Sequence, residues 1–324
     1  MVTLVTGGTG LLGNNIVRQL LARGNAVRVL ARPQVDPRPL DGLDVEVAQG
    51  DVRDRQAVAR AVAGVSTVIH AAGHVHIGWT GWEQARAVNV EGTRNLAEAA
   101  RASGITFVHV SSLDALGLAR SGTLADEETP PLGGVLCPYV VTKRESERVI
   151  LDLVAGGLDA RIVNPGYMIG PFDWKPSSGR MLLQVAKGWG LFAPLGANSY
   201  CDVRDVADGI LATIRNGQAG RRYILGGELL TYFQAWRVFA EVTGGTPPVF
   251  PAGPMVRIAA GYFGDMVTRL TGREPDVNSA ATAISAQRRN FSNDRARQEL
   301  NYRPRPLREA AADAWDWFRE NGYA

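Results

Sequence analysis

A tyrosine and a lysine four residues apart are the side chains of this sequence best suited to acid–base chemistry. Tyr139 and Lys143 lie in the run Tyr-Val-Val-Thr-Lys. On a helix, residues four apart share one face, so the phenol and the ammonium can point into one cleft. A cation near a phenol favours the phenolate and lowers its pKa, which lets tyrosine exchange a proton closer to neutral pH. The pair predicts proton transfer if a second reactant lies beside it.

A glycine-rich turn near the start of the chain predicts that second reactant. Residues 2–5 are an apolar β-branched run, and an amphipathic segment covers residues 14–23. The glycines between them recur every third residue, a spacing that gives a tight turn, close approach of the backbone to a pyrophosphate and close packing of helix on strand. Free N–H groups at the start of the helix favour the anion. The turn residues expected to hold a dinucleotide are Gly7, Thr9, Gly10, Leu11, Leu12 and Gly13.

The end of the second predicted strand indicates which dinucleotide is bound. Residues 27–31 form that strand, and Arg32 follows it. An acid at this place would hydrogen-bond the ribose of NAD, whereas an arginine can pair with the 2′-phosphate of NADP. We therefore expect NADP, with NAD as the alternative; Arg28 or Arg38 are the other candidate partners.

The next strands add further residues to the predicted cofactor site. Asp51 and Val52 follow the third strand, where a carboxylate can accept from the adenine amino group; an N-cap is the competing interpretation of the aspartate. The fourth strand, residues 65–70, runs into three small residues that let a flat cofactor lie against the backbone. These are Ala71, Ala72 and Gly73.

Polar residues after the fourth and fifth strands predict a substrate site. Residues 107–110 form the fifth strand, and Ser112 lies just beyond it, at the edge where ligands bind in open α/β sheets. Its hydroxyl can donate to a substrate carbonyl oxygen. His74 and His76 are two residues apart but lack a suitable third ligand nearby, so we expect no metal site and assign His74 to the wall of a substrate pocket.

Composition limits the classes of partner and compartment. The chain has 324 residues, 45% hydrophobic, with 35 Lys plus Arg scattered among 32 Asp plus Glu, so we expect no nucleic-acid partner. The two cysteines, Cys137 and Cys201, have neither metal nor disulfide spacing and are typical of a reducing compartment. The sequence shows neither a leader nor an apolar run long enough for a membrane span, which predicts a cytoplasmic location.

The second half of the chain is less regular. Residues 167–200 are rich in Gly, Pro, Trp and Phe and predict a substrate-side insertion instead of another sheet repeat. Residues 255–270 carry an almost complete apolar stripe, which predicts a helix packed over the substrate domain; contact with a membrane or an apolar substrate is the alternative. The stripe consists of Val256, Ile258, Ala259, Phe263, Met266, Val267 and Leu270.

Taken in order, these segments resemble the extended short-chain dehydrogenase/reductase family over nearly the whole chain. The matching motifs are Thr6-Gly7-x-x-Gly10-x-x-Gly13, Gly50-Asp51-Val52, His70-Ala71-Ala72, Asn89-Val90-x-Gly92-Thr93, Ser111-Ser112, Tyr139-x-x-x-Lys143 and Asn164-Pro165-Gly166. The resemblance implies an α/β fold, a doubly wound parallel Rossmann sheet with an interleaved, smaller, mostly helical C-terminal substrate domain. It implies residues 1–166 and 202–225 for the cofactor domain, and 167–201 and 226–324 for the substrate domain.

The same resemblance implies roles for individual residues. Ser112, Tyr139 and Lys143 would form a catalytic triad: the serine orients the carbonyl, the tyrosine exchanges the proton, and the lysine holds the nicotinamide ribose and lowers the pKa of the tyrosine. Pro165 and Met168 match positions that contact the nicotinamide end. The residues expected to contact substrate are His74, Ser112, Asp114 and Tyr167. Helices 89–102 and 139–155 are a pair that family members use to form a homodimer.

Departures from the family pattern narrow the subgroup. Sugar-nucleotide epimerases usually carry Val-Tyr-Gly where residues 115–117 here read Ala-Leu-Gly, and a phosphate-binding arginine where Asn198 stands. Arg32 and the C-terminal blocks at 270–275 and 302–306 are more similar to the dihydroflavonol-reductase-like branch.

Three functions follow as hypotheses. The first is an NADP-dependent oxidoreductase acting on a ketone, aldehyde or secondary alcohol of a moderately large, partly apolar substrate. The second is an NAD-dependent epimerase, of sugar nucleotides or related compounds, that retains its cofactor. The third is a cofactor-sensing binding protein without turnover.

Overall fold

The fold is described from a computed structural model, which describes residues 1–119 and 122–324. Arg120 and Ser121, which fall inside the predicted cofactor domain, lie outside the described residues. The β-strands are β1 Val2–Thr6, β2 Ala26–Ala31, β3 Val45–Gln49, β4 Thr67–His70, β5 Thr106–Val110, β6 Ala160–Pro165, β7 Tyr167–Ile169, β8 Phe192–Ala193, β9 Ala197–Asp202, β10 Arg222–Leu225, β11 Glu228–Thr231 and β12 Phe250–Pro251.

Helices alternate with these strands through the first 225 residues and dominate the chain after them. The α-helices are α1 Leu11–Ala22, α2 Arg55–Val62, α3 Trp82–Arg86, α4 Gly92–Ala102, α5 Pro138–Ala155, α6 Gly179–Ala186, α7 Val203–Asn216, α8 Tyr232–Thr243, α9 Pro254–Thr271, α10 Ser279–Ser285, α11 Asp294–Leu300 and α12 Leu307–Glu320. A π-helical turn, Ala87–Glu91, joins α3 to α4. None of the described helices is long and apolar enough to cross a membrane.

A seven-stranded parallel sheet forms the centre of the molecule. Its strand order is β10-β6-β5-β4-β1-β2-β3, so the direction of winding reverses between β1 and β4. Strands of this kind are apolar throughout because helices cover both faces. One apolar core lies on the α1 and α7 side and a second on the α2, α4 and α5 side. The predicted doubly wound Rossmann sheet is confirmed, and its reversal point is where such folds bind ligands.

The segment 167–200 differs from the irregular insertion expected from its composition. It contributes β7 and β9 to a separate three-stranded sheet of order β11-β9-β7, and β8 pairs with β12. It also forms α6. These elements are only two to eight residues long, so the Gly- and Pro-rich joints between them dominate the composition. The division of the whole chain into two domains stays a prediction.

Helix α9 differs more sharply from expectation. Of its eighteen residues only Gly261 and Gly264 are buried, and the large apolar side chains lie on the solvent side. The prediction that the apolar stripe packs inward is therefore wrong. The two glycines explain the reversal, because they let α10 and the chain just before it approach the backbone of α9 closely and leave no room there for a large side chain.

Candidate active site

Helix α5 positions the tyrosine and the lysine. Pro138, whose fixed φ suits a first helical turn, begins the helix, and Tyr139 and Lys143 follow one turn apart, both buried. Lys143 Nζ donates to the carbonyl oxygen of Val110 at 2.9 Å. The same nitrogen lies 3.4 Å from the point that a Cβ on Gly73 would occupy. The lysine thus lies between the ends of β4 and β5, at the edge of the sheet that the sequence predicts for ligands.

Ser112 lies beside the phenol. Its side chain lies close enough to Tyr139 to lower the pKa of the phenol, and its Oγ accepts from the backbone N–H of Asp114 at 3.1 Å. The structure therefore brings Ser112, Tyr139 and Lys143 to one place, as the spacing predicts. Their catalytic roles stay predictions.

The protonation of Tyr139 differs from the expectation. Burial raises its pKa well above that of a free phenol, and the nearby Asp114 carboxylate raises it further. The side chain of Ser112 and the charge of Arg289 act in the opposite direction. Among the groups of this chain, the effect of desolvation on the pKa exceeds that of the groups that favour the phenolate. Tyr139 is therefore protonated at neutral pH and can act as a proton donor.

Lys143 is also perturbed by burial. Desolvation lowers the pKa of its ammonium to about 8, and the charge of Glu147 opposes that shift. The lysine therefore keeps its positive charge at pH 7 but is close to losing it.

An ion pair beside the phenol was not predicted by the sequence. Arg289, in the loop after α10, pairs with Asp114 at 2.8 Å, and the two side chains are only 7% and 17% exposed. The second oxygen of Asp114 lies 3.4 Å from Ser112 Oγ. Asp114 thus connects the predicted catalytic serine to the C-terminal part of the chain. No local pattern marks Arg289, because its partner is far away in the sequence.

A second buried network holds the backbone of Ser112. Asn164 Nδ2 donates to the Ser112 carbonyl at 2.9 Å and to Glu147 Oε1 at 2.7 Å. The other oxygen of Glu147 accepts from Arg222 Nε at 2.7 Å. Sequence reasoning found Asn164 through its motif but missed Glu147, which lies one turn after Lys143 on α5.

The glycine turn has the geometry of a phosphate site. Gly7 has φ +74°, and a Cβ on it would lie 2.7 Å from Ala72 N; a Cβ on Gly13 would lie 2.0 Å from Gly7 O. The N-terminus of α1, at Gly10, takes no side-chain cap from the described residues, and its first turn carries no acid. These features fit a dinucleotide pyrophosphate, since backbone N–H groups are left to bind an anion. Thr9 lies in this turn, and Leu11 and Leu12 are the first two residues of α1; their contacts with a cofactor stay predictions.

A buried hydrogen-bond chain fixes the turn relative to β4. Thr93 Oγ1 donates to Asn89 O, so it must accept from His70 Nε2 at 3.0 Å. His70 Nδ1 then accepts from Thr6 Oγ1 at 2.7 Å, and Thr6 Oγ1 accepts from Ala72 N at 3.2 Å. Burial lowers the pKa of His70 to about 3, with a further contribution from Lys143, so the ring is neutral. This series of hydrogen bonds fixes the distance between the glycine turn and residues 71–73.

The residues predicted at the adenosine end are close together. Arg32 is exposed at the end of β2. The pKa of Asp51 is lowered mainly by the hydrogen bonds and charge of Arg53, and to a smaller extent by the charge of Arg32. Asp51 is not the cap of α2, because Asp54 accepts from Gln56 N in that place. Val52 is buried just after Asp51. The structure therefore excludes the N-cap interpretation.

Two groups of hydrogen bonds hold the loop at residues 74–80, on the predicted substrate side. Asn89 Oδ1 accepts from His74 N at 2.7 Å and Asn89 Nδ2 donates to His74 O at 3.0 Å. Glu274 contacts His76 Nε2 at 2.7 Å and accepts from Trp79 N at 2.7 Å. Glu274, which the sequence did not single out, joins this loop to the segment after α9.

The last predicted contacts lie at the ends of β6 and β7. Pro165 is buried, whereas Tyr167 and Met168 are partly buried. The Tyr167 hydroxyl donates to Ser178 O at 3.0 Å, and its ring lies 5.3 Å from that of Tyr200. Tyr167 therefore offers an aromatic face more readily than its hydroxyl.

Comparison with known proteins gives consistent results. Residues 3–226 match the model of the NAD dependent epimerase/dehydratase family. "Sterol demethylase protein B" of Methylococcus capsulatus is 38% identical over 99% of each chain. "Putative dihydroflavonol 4-reductase" of Synechocystis is 32% identical over 98% of this chain and 95% of its own. The crystal structure of gox2253 superposes with a TM-score of 0.87 at 36% identity, covering 99% of each chain.

Proposed function

The chain belongs to the NAD-dependent epimerase/dehydratase family, an extended short-chain dehydrogenase/reductase with a nicotinamide cofactor, and we propose that it is an NADP-dependent oxidoreductase. Its substrate is a ketone, aldehyde or secondary alcohol of a moderately large, partly apolar molecule. The observation that carries this proposal is the placement of Ser112, Tyr139 and Lys143 beside the small residues at the end of β4.

The proposed chemistry uses the three side chains in different ways. The chemistry that a bound nicotinamide supplies is hydride transfer. Tyr139 gives its proton to the carbonyl oxygen during reduction and takes it back during oxidation. Ser112 donates to the same oxygen, and the positive charge of Lys143 stabilises the phenolate that forms. Burial keeps the phenol protonated beforehand, which suits the reductive direction.

The preference for NADP rests on Arg32. Arg28 donates to the carbonyls of Ala61 and Ala63, and Arg38 is paired with Asp36. Arg32 makes no ion pair within the described part of the chain and is exposed beyond β2, so its guanidinium is free to pair with a 2′-phosphate.

The residues around the site favour an apolar substrate over a sugar nucleotide. Asn198, at the position where epimerases carry a phosphate-binding arginine, is buried, and its Oδ1 accepts from Ser199 N at 2.9 Å. Tyr167 and Tyr200 pack ring against ring nearby. The names of the two relatives refer to sterol demethylation and dihydroflavonol reduction, which agrees with this choice.

The test is a cofactor-resolved turnover assay. Purified protein with NADPH and a panel of apolar ketones should lose absorbance at the nicotinamide band, and NADH should react more slowly. Tyr139→Phe should abolish turnover and leave NADPH affinity within a few-fold of wild type, whereas Arg32→Asp should reverse the preference between the cofactors. If Tyr139→Phe turns over as fast as wild type, the tyrosine is not the proton donor.

A second candidate is an epimerase that retains its cofactor, favoured by the family model that matches residues 3–226. Such an enzyme would show no net absorbance change and would purify with bound NAD. Cofactor binding without turnover of either kind would instead indicate a cofactor-sensing protein.

Assembly and location complete the proposal. We propose a cytoplasmic protein that forms a homodimer through helices 89–102 and 139–155. Analytical ultracentrifugation, with a charge reversal at the exposed Arg148 of α5, tests the dimer. If the charge-reversed variant still sediments as a dimer, with the same sedimentation coefficient as wild type, this interface is excluded.

A further inference from the structure

Helix α9 presents its largest apolar side chains to solvent. Five of them fall within an arc of about 100° on the helix, since successive residues are about 100° apart. Their exposed fractions lie between 49% and 85%. They are Met255, Tyr262, Phe263, Met266 and Leu270. An apolar surface of this size on a folded protein indicates a binding surface.

The orientation of α9 is fixed by its opposite face. A Cβ on Gly264 would lie 1.9 Å from the carbonyl oxygen of Val277, and a Cβ on Gly261 would lie 2.8 Å from Thr282 Oγ1. The helix therefore cannot rotate to bury its large side chains against α10, because no space exists on that side. The fold therefore fixes which face of α9 is exposed.

The apolar surface continues beyond the helix. The two-residue strand Phe250–Pro251 pairs with Phe192–Ala193 and leads directly into α9. Phe192 and Phe250 are exposed on this ribbon, and Trp189 is exposed just before it. Tryptophan is enriched at the membrane–water interface, and Trp, Phe and Leu form the apolar faces of helices that bind there.

The charges around this surface indicate the charge of the partner that binds it. The three acids between residues 254 and 277 are engaged: Asp265 accepts from Ser279 N, Glu274 contacts His76, and Asp276 pairs with Arg180. By contrast, the side chains of the three arginines in the same segment make no hydrogen bond or ion pair with the described residues. These are Arg257, Arg269 and Arg273.

We propose that α9 and the adjoining aromatic ribbon dock on an anionic lipid bilayer. An exposed apolar helical face with the unpaired Arg269 at its edge and Arg273 just beyond its C-terminal end has the composition of an interfacial helix. A second copy of this chain fits less well, because it would bring arginines against arginines with every nearby acid already engaged. Within the proposed function, docking would let the enzyme take an apolar substrate directly from the lipid.

Glu274 joins this surface to the substrate side. It holds the 76–80 loop by accepting from Trp79 N and Thr80 Oγ1, and Trp79 Nε1 donates to Ser279 Oγ at the start of α10. The docking surface and the predicted substrate wall therefore share one set of contacts, so a substrate leaving the bilayer at α9 would be near the cleft.

Vesicle co-sedimentation tests the proposal with the full chain. Wild-type protein should bind vesicles of phosphatidylcholine with phosphatidylglycerol more tightly than vesicles of phosphatidylcholine alone. The double variant Phe263→Ser/Met266→Ser should partition at least about tenfold more weakly onto both, because each lost apolar contact is worth about 1.5 kcal/mol or more when buried. Arg269→Gln/Arg273→Gln should bind both vesicle types equally. Val47→Ser, an exposed apolar position on β3, is the matched control and should behave as wild type.

Several outcomes would overturn the proposal. These are absence of wild-type binding to either vesicle, binding that is insensitive to the α9 double variant, and a wild-type dimer that the same variant dissociates in ultracentrifugation. The double variant should keep wild-type NADPH oxidation with a water-soluble ketone, since α9 carries none of the proposed catalytic residues. Turnover without vesicle binding overturns only the docking proposal, and vesicle binding without turnover overturns only the proposed function.

Discussion

Lys143 is the residue whose replacement separates stability from activity most clearly. Burial lowers the pKa of its ammonium from 10.5 to about 8 in the folded chain. The folded state therefore penalises the charged form, and the penalty is fully present below pH 8. It is relieved as the pH rises from about 8 towards 10.5, where the folded chain has released a proton that the unfolded chain still holds.

The size of the effect follows from that shift. At about 1.4 kcal/mol per pKa unit, the buried charge costs about 3 kcal/mol at pH 7 and about 1 kcal/mol at pH 10. Lys143→Met removes the charge at similar volume but also removes the hydrogen bond to the Val110 carbonyl, a loss of about 1 kcal/mol. The variant should therefore unfold with a free energy about 2 kcal/mol higher than wild type at pH 7, and about equal to it at pH 10.

Urea denaturation at both pH values, without added cofactor, measures this difference. The matched control is Lys175→Met, an exposed lysine whose replacement should change the unfolding free energy by less than about 0.5 kcal/mol at either pH. Turnover should be lost in Lys143→Met alone. A variant that is less stable than wild type at pH 7, or a difference that does not change with pH, would refute the account of the lysine as a buried charge.

Three further substitutions test other parts of the site. Gly13→Ala places a methyl group 2.0 Å from the carbonyl oxygen of the first glycine in the turn, so NADPH affinity in fluorescence titration should fall at least about tenfold; unchanged affinity would contradict the turn geometry. Thr93→Val leaves the His70 Nε2 proton without an acceptor and should lower the urea unfolding free energy by about 1–3 kcal/mol, whereas Thr93→Ser should not. Asp114→Asn removes a charge that raises the pKa of Tyr139, so the pH at half-maximal alcohol oxidation should move lower; a move to higher pH would refute this assignment.

Local patterns in the sequence predicted the positions of the glycine turn and of the helix that carries Tyr139 and Lys143. The glycine turn and the tyrosine–lysine pair are short-range features whose geometry follows from one turn or one helix. The bounds of α5, for example, follow from Pro138 and the helical period. The partner of Asp114 could not be found in this way, because an ion pair with Arg289 depends on how the C-terminal chain folds back. Periodicity likewise identified the apolar face of α9 but not its direction, which the close approach at Gly264 decides.

Because Asp114 and Arg289 are far apart in the sequence, their ion pair can form only late in the synthesis of the chain. The predicted catalytic serine, tyrosine and lysine leave the ribosome before the arginine that neutralises their neighbouring carboxylate. At typical elongation rates of about 5–20 residues per second, Arg289 follows Lys143 by roughly 7–30 s. During that interval the nascent chain contains Asp114 and Tyr139, but the counter-ion of that carboxylate has not been made. Translation itself thus delays the finished electrostatic environment of the phenol until the C-terminal region has been made.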